Sequence, residues 1–364
     1  MLRLLTWILV LSAPAVAQVQ KSSSAGTISI APVVTGLDTP WAVAPLPGGA
    51  FLITERDGAL LLGVPGRGVS RVSGVPDVWA SGQGGLLDVV AARDFAATSE
   101  IFLTFSMAGN RGAGTALAVA RLDRDAAALH DLRIIFRMNA SSRKGQHFGS
   151  RVVEAPDGTL FLTIGDRGAA GLAQSLDVHN GKVVRVTRSG GVPKDNPFAT
   201  GPAPEIWSYG HRNAQGAALD LSGRLWTVEH GARGGDEVNR PQAGRNYGWP
   251  VISYGTHYSG AKIGEGTAKA GMEQPAHYWD PSIAPSGMMI YSGKLWPAWR
   301  GDMFVGSLKF DYVSRLELSG NGAREVEQLF PGAFARIRDI REAPDGAIWF
   351  ISIGEGAVFR MTPG

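Results

Sequence analysis

The stretch GQHFGSRVVEAPDGTLFLTIGD (residues 145–166) sets out one structural unit: a glycine-bounded loop, a short apolar strand, a Pro-Asp-Gly turn and a second, more hydrophobic strand. Near the other end of the chain, ARIRDIREAPDGAIWFISIG (335–354) repeats the unit with the same turn. It recurs as LDTPWAVAPLPGGAFLITER (37–56), GQGGLLDVVAARDFAATSEIFLTFS (82–106), GHRNAQGAALDLSGRLWTVEHG (210–231) and PSGMMIYSGKLWPAWRGDMFVGSLK (285–309). The hydrophobic strands centre near residues 52, 103, 161, 226, 304 and 349. Steps of roughly sixty residues leave room for a four-stranded blade with long loops. Glycine is abundant, at 49 residues, and helical periodicity is scarce. The pattern predicts an all-β chain folded as a six-bladed β-propeller, with an early strand over 27–34 completing the last blade. A two-sheet sandwich would need six matching units to arise by coincidence.

The phase of the repeat also places side chains. In an antiparallel hairpin, the start of the first strand and the end of the second lie together. Gln83, His147, Arg212, Asn213, Arg336 and Arg338 precede or open a first strand, and Asp166, Glu229 to Ala232 and Lys309 follow a second one. A propeller therefore brings them all to one mouth of its central channel. Arg212, Lys309, Arg336 and Arg338 would repel one another there without a polyanion among them, and arginine forks suit carboxylates or phosphates.

The stretch EHGARGGDEVNRPQAGRNYGWP (229–250) offers carboxylates and free carbonyls, the ligand set of Ca²⁺, although spacing alone equally describes a solvated acidic turn. His147 is either a hydrogen-bonding surface histidine or a general base. Cations beside it would favour the neutral imidazole a base needs, and Asp166 of the same blade could orient it. No G-x-S-x-G elbow, cysteine nucleophile or dinucleotide fingerprint is present.

The opening MLRLLTWILVLSAPAVAQ has one early cation, a short apolar run and an A-x-A site, and reads as a signal peptide over residues 1–17. That leaves 18–364 as a single propeller domain, exported to a bacterial periplasm. The apolar run is well short of the ~20 residues that span a bilayer. With no cysteine, neither disulfides nor thiolate metal sites are available. A net charge of +3, not gathered into Lys/Arg runs, argues against nucleic acid.

The run SYGHRNAQG (208–216) followed by WTVEHGARGGDEVNRPQAGRNYGWP (226–250) resembles the soluble quinoprotein sugar dehydrogenases, the glucose/sorbosone dehydrogenase family. TPWAVAPLPGGAFLITER, GQGGLLDV, HFGSR with PDG and TIGDRG, WDPSIAPSG, GSLK and RIRDIREAPDG extend the resemblance over nearly the whole mature chain. It is nearest to the shorter bacterial aldose sugar dehydrogenases. The resemblance implies a six-bladed propeller that oxidises aldoses to aldonolactones with pyrroloquinoline quinone (PQQ) and Ca²⁺, and passes electrons to an external quinone, cytochrome or dye. It implies His147 as the base, with Asp166 the acid kept beside it. Gln83, Arg212, Asn213, Lys309, Arg336 and Arg338 would hold PQQ. The carbonyls of Gly231 and Ala232 would hold the cofactor's Ca²⁺, and Glu237 and Tyr247 correspond to a second, structural Ca²⁺ site.

The chain departs from the soluble glucose dehydrogenases at Gln146, where they have aspartate, at Ala232, where they have proline, and at Gly171, where they have a sugar-contacting glutamine. It also lacks loops that support a dimer there, so monomer and dimer are both open. A non-catalytic propeller that binds carbohydrate or protein is the alternative. A calcium-dependent lactonase would call for acidic ligands from several blades instead of this cationic mouth.

Overall fold

The computed structural model describes residues 18–364, so the signal peptide expected over 1–17 lies outside the described residues. Six antiparallel sheets follow one another along the chain, as the repeat predicts. Blade 1 opens with Pro40–Pro45, blade 2 with Leu86–Ala91, blade 3 with Val152–Glu154, blade 4 with Ala214–Leu219, blade 5 with Pro285–Ile290 and blade 6 with Ile337–Glu342. The hydrophobic strands picked out by sequence are the second strands of these blades, from Phe51–Glu55 to Ile348–Ser352.

Packing explains why those second strands read as unbroken apolar runs. Each blade is covered on both faces by its neighbours, so alternate side chains have no solvent side to turn toward. All residues of Thr159–Ile164, Leu225–Glu229, Met303–Ser307 and Ile348–Ser352 are buried. An outermost strand such as Gly68–Arg71 is wholly exposed. Six apolar clusters fill the six gaps between blades, each mixing side chains from two neighbours.

The two Pro-Asp-Gly turns are built alike. Gly158 N donates to Ala155 O at 3.0 Å and Gly346 N to Ala343 O at 2.8 Å. Both glycines adopt positive φ, 79° and 88°, as the turn requires. The ring closes through Gly26–Val34, which pairs antiparallel with Ala357–Pro363 of blade 6, with Ile30 opposite Met361. That is the strand expected over 27–34. Sequence gave no hint of Val19–Ser23, which adds a fifth strand outside it.

In blades 1, 2, 4, 5 and 6 the pairing of first and second strands is interrupted near the start of the first strand, for instance between Leu86 and Val89 and between Ile337 and Asp339. Such bulges break the simple in-out alternation and re-aim side chains. They recur at the end of the sheet where the candidate residues sit.

Candidate active site

His147 lies on the loop ahead of Val152–Glu154, with left-handed φ of 56°. Its backbone N–H donates to Gln83 Oε1 of blade 2 at 2.7 Å, and its ring Nδ1 lies 2.7 Å from Asp166 Oδ1. Both side chains are nearly buried. Asp166 Oδ1 also accepts Gly168 N–H at 2.7 Å, and Oδ2 accepts the indole N–H of Trp249 at 2.9 Å. Burial alone would raise the Asp166 carboxyl, but the His147, Gly168 and Trp249 donors hold it below the usual aspartate value. An ionised Asp166 accepts a hydrogen bond from Nδ1–H, which leaves the lone pair on Nε2. Gly165 makes the close approach possible, because a Cβ there would stand 2.2 Å from His147 O.

Beside this pair opens a cavity of about 540 Å³, lined among others by Gln83, Asn213, Lys309, Arg336 and Arg338. Five of the six residues expected to hold the cofactor thus share one space. Arg212 faces an adjoining cleft with Glu229, Gly231, Glu237, Tyr247 and Trp249. Its NH1 donates to His230 O at 3.2 Å, and its guanidinium stands 5.2 Å from the Trp249 ring centre. Asn213 Oδ1 accepts Gly149 N–H at 3.1 Å and so ties blade 4 to the His147 loop.

None of Arg212, Lys309, Arg336 and Arg338 forms a salt bridge among the described residues; their partners are neutral. Arg336 NH1 donates to Leu308 O at 3.3 Å, and Arg338 NH2 to Gln215 Oε1 at 2.8 Å. The Nε atoms of Arg212 and Arg338 are buried without a hydrogen-bond partner. Burial, and then the nearby Arg151, lower the Arg338 guanidinium to about 9.

The expected metal residues gather on the blade 4 side. Asp236 is committed to protein donors: Oδ1 accepts Gly231 N–H at 2.8 Å and Oδ2 accepts Ala284 N–H at 2.8 Å. Its neighbour Glu237 points the other way, as alternation along Asp236–Asn239 requires. Glu237 shares Asn239 Nδ2 with the buried Glu229, at 3.0 and 2.9 Å. Burial first, and the Glu229 carboxylate second, push the Glu237 carboxyl up to about 8. The Tyr247 hydroxyl is engaged with Arg240 O and Gln242 N, so only its backbone carbonyl could serve an ion. No group of three acidic, histidine or cysteine side chains converges on one point among the described residues.

Sequence reasoning missed Trp41, Gln215 and Trp249. Trp41 and Gln215 line the main cavity, and Trp249 binds the Asp166 carboxylate. All three lie inside segments already singled out, but nothing in spacing marks an indole as a hydrogen-bond donor to a residue 83 positions away.

Six blades thus surround a cavity lined by Lys309, Arg336 and Arg338, with the hydrogen-bonded His147–Asp166 pair close by. The chain belongs to the Glucose / Sorbosone dehydrogenase family, whose profile matches residues 37–360. It is 44% identical over 346 residues to the aldose sugar dehydrogenase YliI of Escherichia coli, covering 93% of each chain. The crystal structure of the soluble aldose sugar dehydrogenase from Escherichia coli in its apo-form superposes with a TM-score of 0.89 at 43% identity, covering 93% of this chain and 100% of that one. The PQQ-bound aldose sugar dehydrogenase from Streptomyces coelicolor superposes with a TM-score of 0.76 at 26% identity, covering 92% and 98%.

Proposed function

We propose that the protein is a PQQ- and Ca²⁺-dependent aldose dehydrogenase that oxidises the anomeric carbon of a sugar to an aldonolactone. The observation that carries this reading is the His147–Asp166 pair, at 2.7 Å, beside a cavity whose cations have no carboxylate partner. The residues present fit the cofactor. PQQ is a flat tricarboxylate, and Lys309, Arg336 and Arg338, with Arg212 alongside, supply charge and unpartnered donors for its carboxylates. Gln83 and Asn213 add neutral polar contacts.

The donor set also fits calcium. The Gly231 and Ala232 carbonyls would hold an ion on the cofactor, while Glu237 and the Tyr247 carbonyl would serve a structural one. When bound, PQQ supplies the two-electron acceptor, and Ca²⁺ the Lewis acid that polarises its carbonyl.

The chain's own part is proton transfer and placement. His147 Nε2 takes the proton of the anomeric hydroxyl as hydride leaves C1, so that the C1–O bond becomes the lactone carbonyl. Asp166 holds the ring tautomer and balances the imidazolium that forms. Asn213 and Gln83 fix the His147 loop from two neighbouring blades. An external acceptor, a quinone, cytochrome or dye, then collects the electrons.

No helix among the described residues is long and apolar enough to cross a membrane. With the signal peptide read over 1–17, the site of action is the periplasm. N-terminal sequencing of the exported protein should begin near Gln18; an intact Met1 would overturn that placement. The reaction is tested by adding PQQ, Ca²⁺ and a panel of aldoses to purified apo-protein with a dye acceptor. Dye reduction that needs all three is the expected result. Failure to bind PQQ, or binding without aldose oxidation, overturns the proposal.

A further inference from the structure

Trp249 touches both halves of the site yet has no part in the chemistry described so far. Its indole N–H donates to Asp166 Oδ2 at 2.9 Å, while His147 and Gly168 occupy Oδ1. Its ring also lies under the Arg212 guanidinium, at 5.2 Å. The residue is itself fixed on both sides of its peptide. Trp249 N donates to Gly210 O at 2.9 Å, and Gln174 Nε2 donates to Trp249 O at 2.7 Å. A second bond pair between Gln174 and Asn246 locks that arrangement. The indole therefore reaches Asp166, which belongs to blade 3, from a firmly held loop of blade 4.

We propose that Trp249 is a positioning residue of the active site: its indole N–H pins the Asp166 carboxylate in the plane that receives the His147 ring, and so aims the base. The proposal rests on the assignment of His147 as base. A carboxylate held only through Oδ1 could rotate about its Cβ–Cγ bond, and the imidazole would follow it out of line. Hydrogen bonds of this kind, one step removed from the reacting group, are commonly worth 10–100-fold in activity or affinity.

The other charged groups nearest the pair are Arg167, which follows Asp166 in sequence, Lys144, whose ammonium bonds Gly168 O, and Arg212, whose carbonyl accepts Asp166 N–H at 2.8 Å. Trp249→Phe alters none of these charges.

In holoenzyme loaded with PQQ and Ca²⁺, Trp249→Phe should lower kcat roughly ten- to a hundred-fold, with sugar KM and PQQ affinity changed less than about threefold. A loss of kcat with sugar KM held is a split that a merely structural loss would not give. The substitution should add nothing to Asp166→Asn, because both act through one carboxylate. Trp249→benzothienylalanine, which keeps the ring shape and loses only the N–H, should behave like Trp249→Phe and guards against misfolding. An unchanged kcat, or full additivity with Asp166→Asn, overturns the proposal. Ring ¹⁵N signals of His147 in the cofactor-free protein give a reading independent of turnover. In Trp249→Phe they should show a weakened Nδ1–H···Asp166 hydrogen bond, and unchanged signals overturn the proposal even if the wild type oxidises no aldose, a result that would count only against the assigned reaction.

Discussion

Two side chains at the centre of the site, His147 and Arg336, sit in the left-handed region with φ of 56° each. Non-glycine residues hold such angles only where their surroundings impose them, and they cluster where function needs a fixed side chain. For His147 the imposing contacts are Gln83 on its N–H and Asp166 on its ring. His147→Ala should cost roughly 10²–10⁴-fold in kcat, the usual worth of a general base, and leave PQQ affinity nearly unchanged. Equal turnover in a dye assay would remove His147 from the chemistry. Its backbone supplies a second check: His147→Gly should be more stable to denaturant than His147→Ala by about 1 kcal/mol, because alanine keeps a Cβ at positive φ. Asp166 links the site to pH. Its folded value is lowered below 3.8, so its contribution to stability is complete above that pH and is lost as pH falls through the folded value. Asp166→Asn should flatten the acid limb of the melting curve below about pH 4. Across the cavity, Arg336→Ala with Arg338→Ala should weaken PQQ binding by roughly 10²-fold or more, at about 1.5–3 kcal/mol per charged hydrogen bond lost. Titration of apo-protein with PQQ would show it, and undiminished affinity would place the carboxylates elsewhere.

At the level of elements, a buried lysine sets the loop behind the pair. Lys182 opens the third strand of blade 3, Lys182–Thr187, and its ammonium donates to Leu172 O at 3.1 Å, Ala173 O at 2.9 Å and Asn180 O at 2.6 Å. It thereby fastens the 3-10 segment Ala170–Gln174, which carries Gln174 to Trp249. Among the described residues no carboxylate pairs with it, and burial lowers its ammonium to about 7. The sign of the linkage follows. Between about pH 7 and the ordinary lysine value of 10.5, the unfolded chain binds more protons than the folded one, so folding stability rises with pH there. Lys182→Met should remove that rise from melting temperatures recorded between pH 7 and 10; an identical slope would mean the ammonium keeps its charge. This element was not legible in the sequence, where Lys182 is one cation in GKVVRV. The second strands were legible because burial on both faces writes an unbroken apolar run. The bulges near Leu86, Ala214 and Ile337 were not, since one displaced residue leaves no mark on composition.

For the molecule as a whole, the repeat disclosed the ring and the phase disclosed the mouth, yet the axis stayed hidden. Its parts come from first strands far apart in sequence, and no local pattern announces their meeting. Arg151 of blade 3 is fully buried between Asp88 of blade 2 at 3.1 Å and Asp339 of blade 6 at 3.0 Å. Arg341 closes the set with bonds to Asp88 at 2.6 Å and Asp339 at 3.2 Å. Two cations and two anions leave the cluster neutral. The carboxylates also accept Val152 N–H and Val43 N–H, each at 3.0 Å, so blades 1, 2, 3 and 6 meet in one network. Arg151 reaches up to the cavity wall, with Nε on Gln215 O at 2.7 Å and its guanidinium 4.2 Å from the Trp41 ring centre, while Arg338 stands 4.3 Å from the same ring centre. Removing one partner from a buried ion set strands the others and typically costs ~3–5 kcal/mol. Arg151→Met should lower the denaturant midpoint accordingly. Asp339→Asn added to it should recover part of the loss, because it restores neutrality around Arg341 while still accepting Val43 N–H. A single variant as stable as wild type, or a double variant weaker than the single, would show that packing between blades holds the ring without help from its axis.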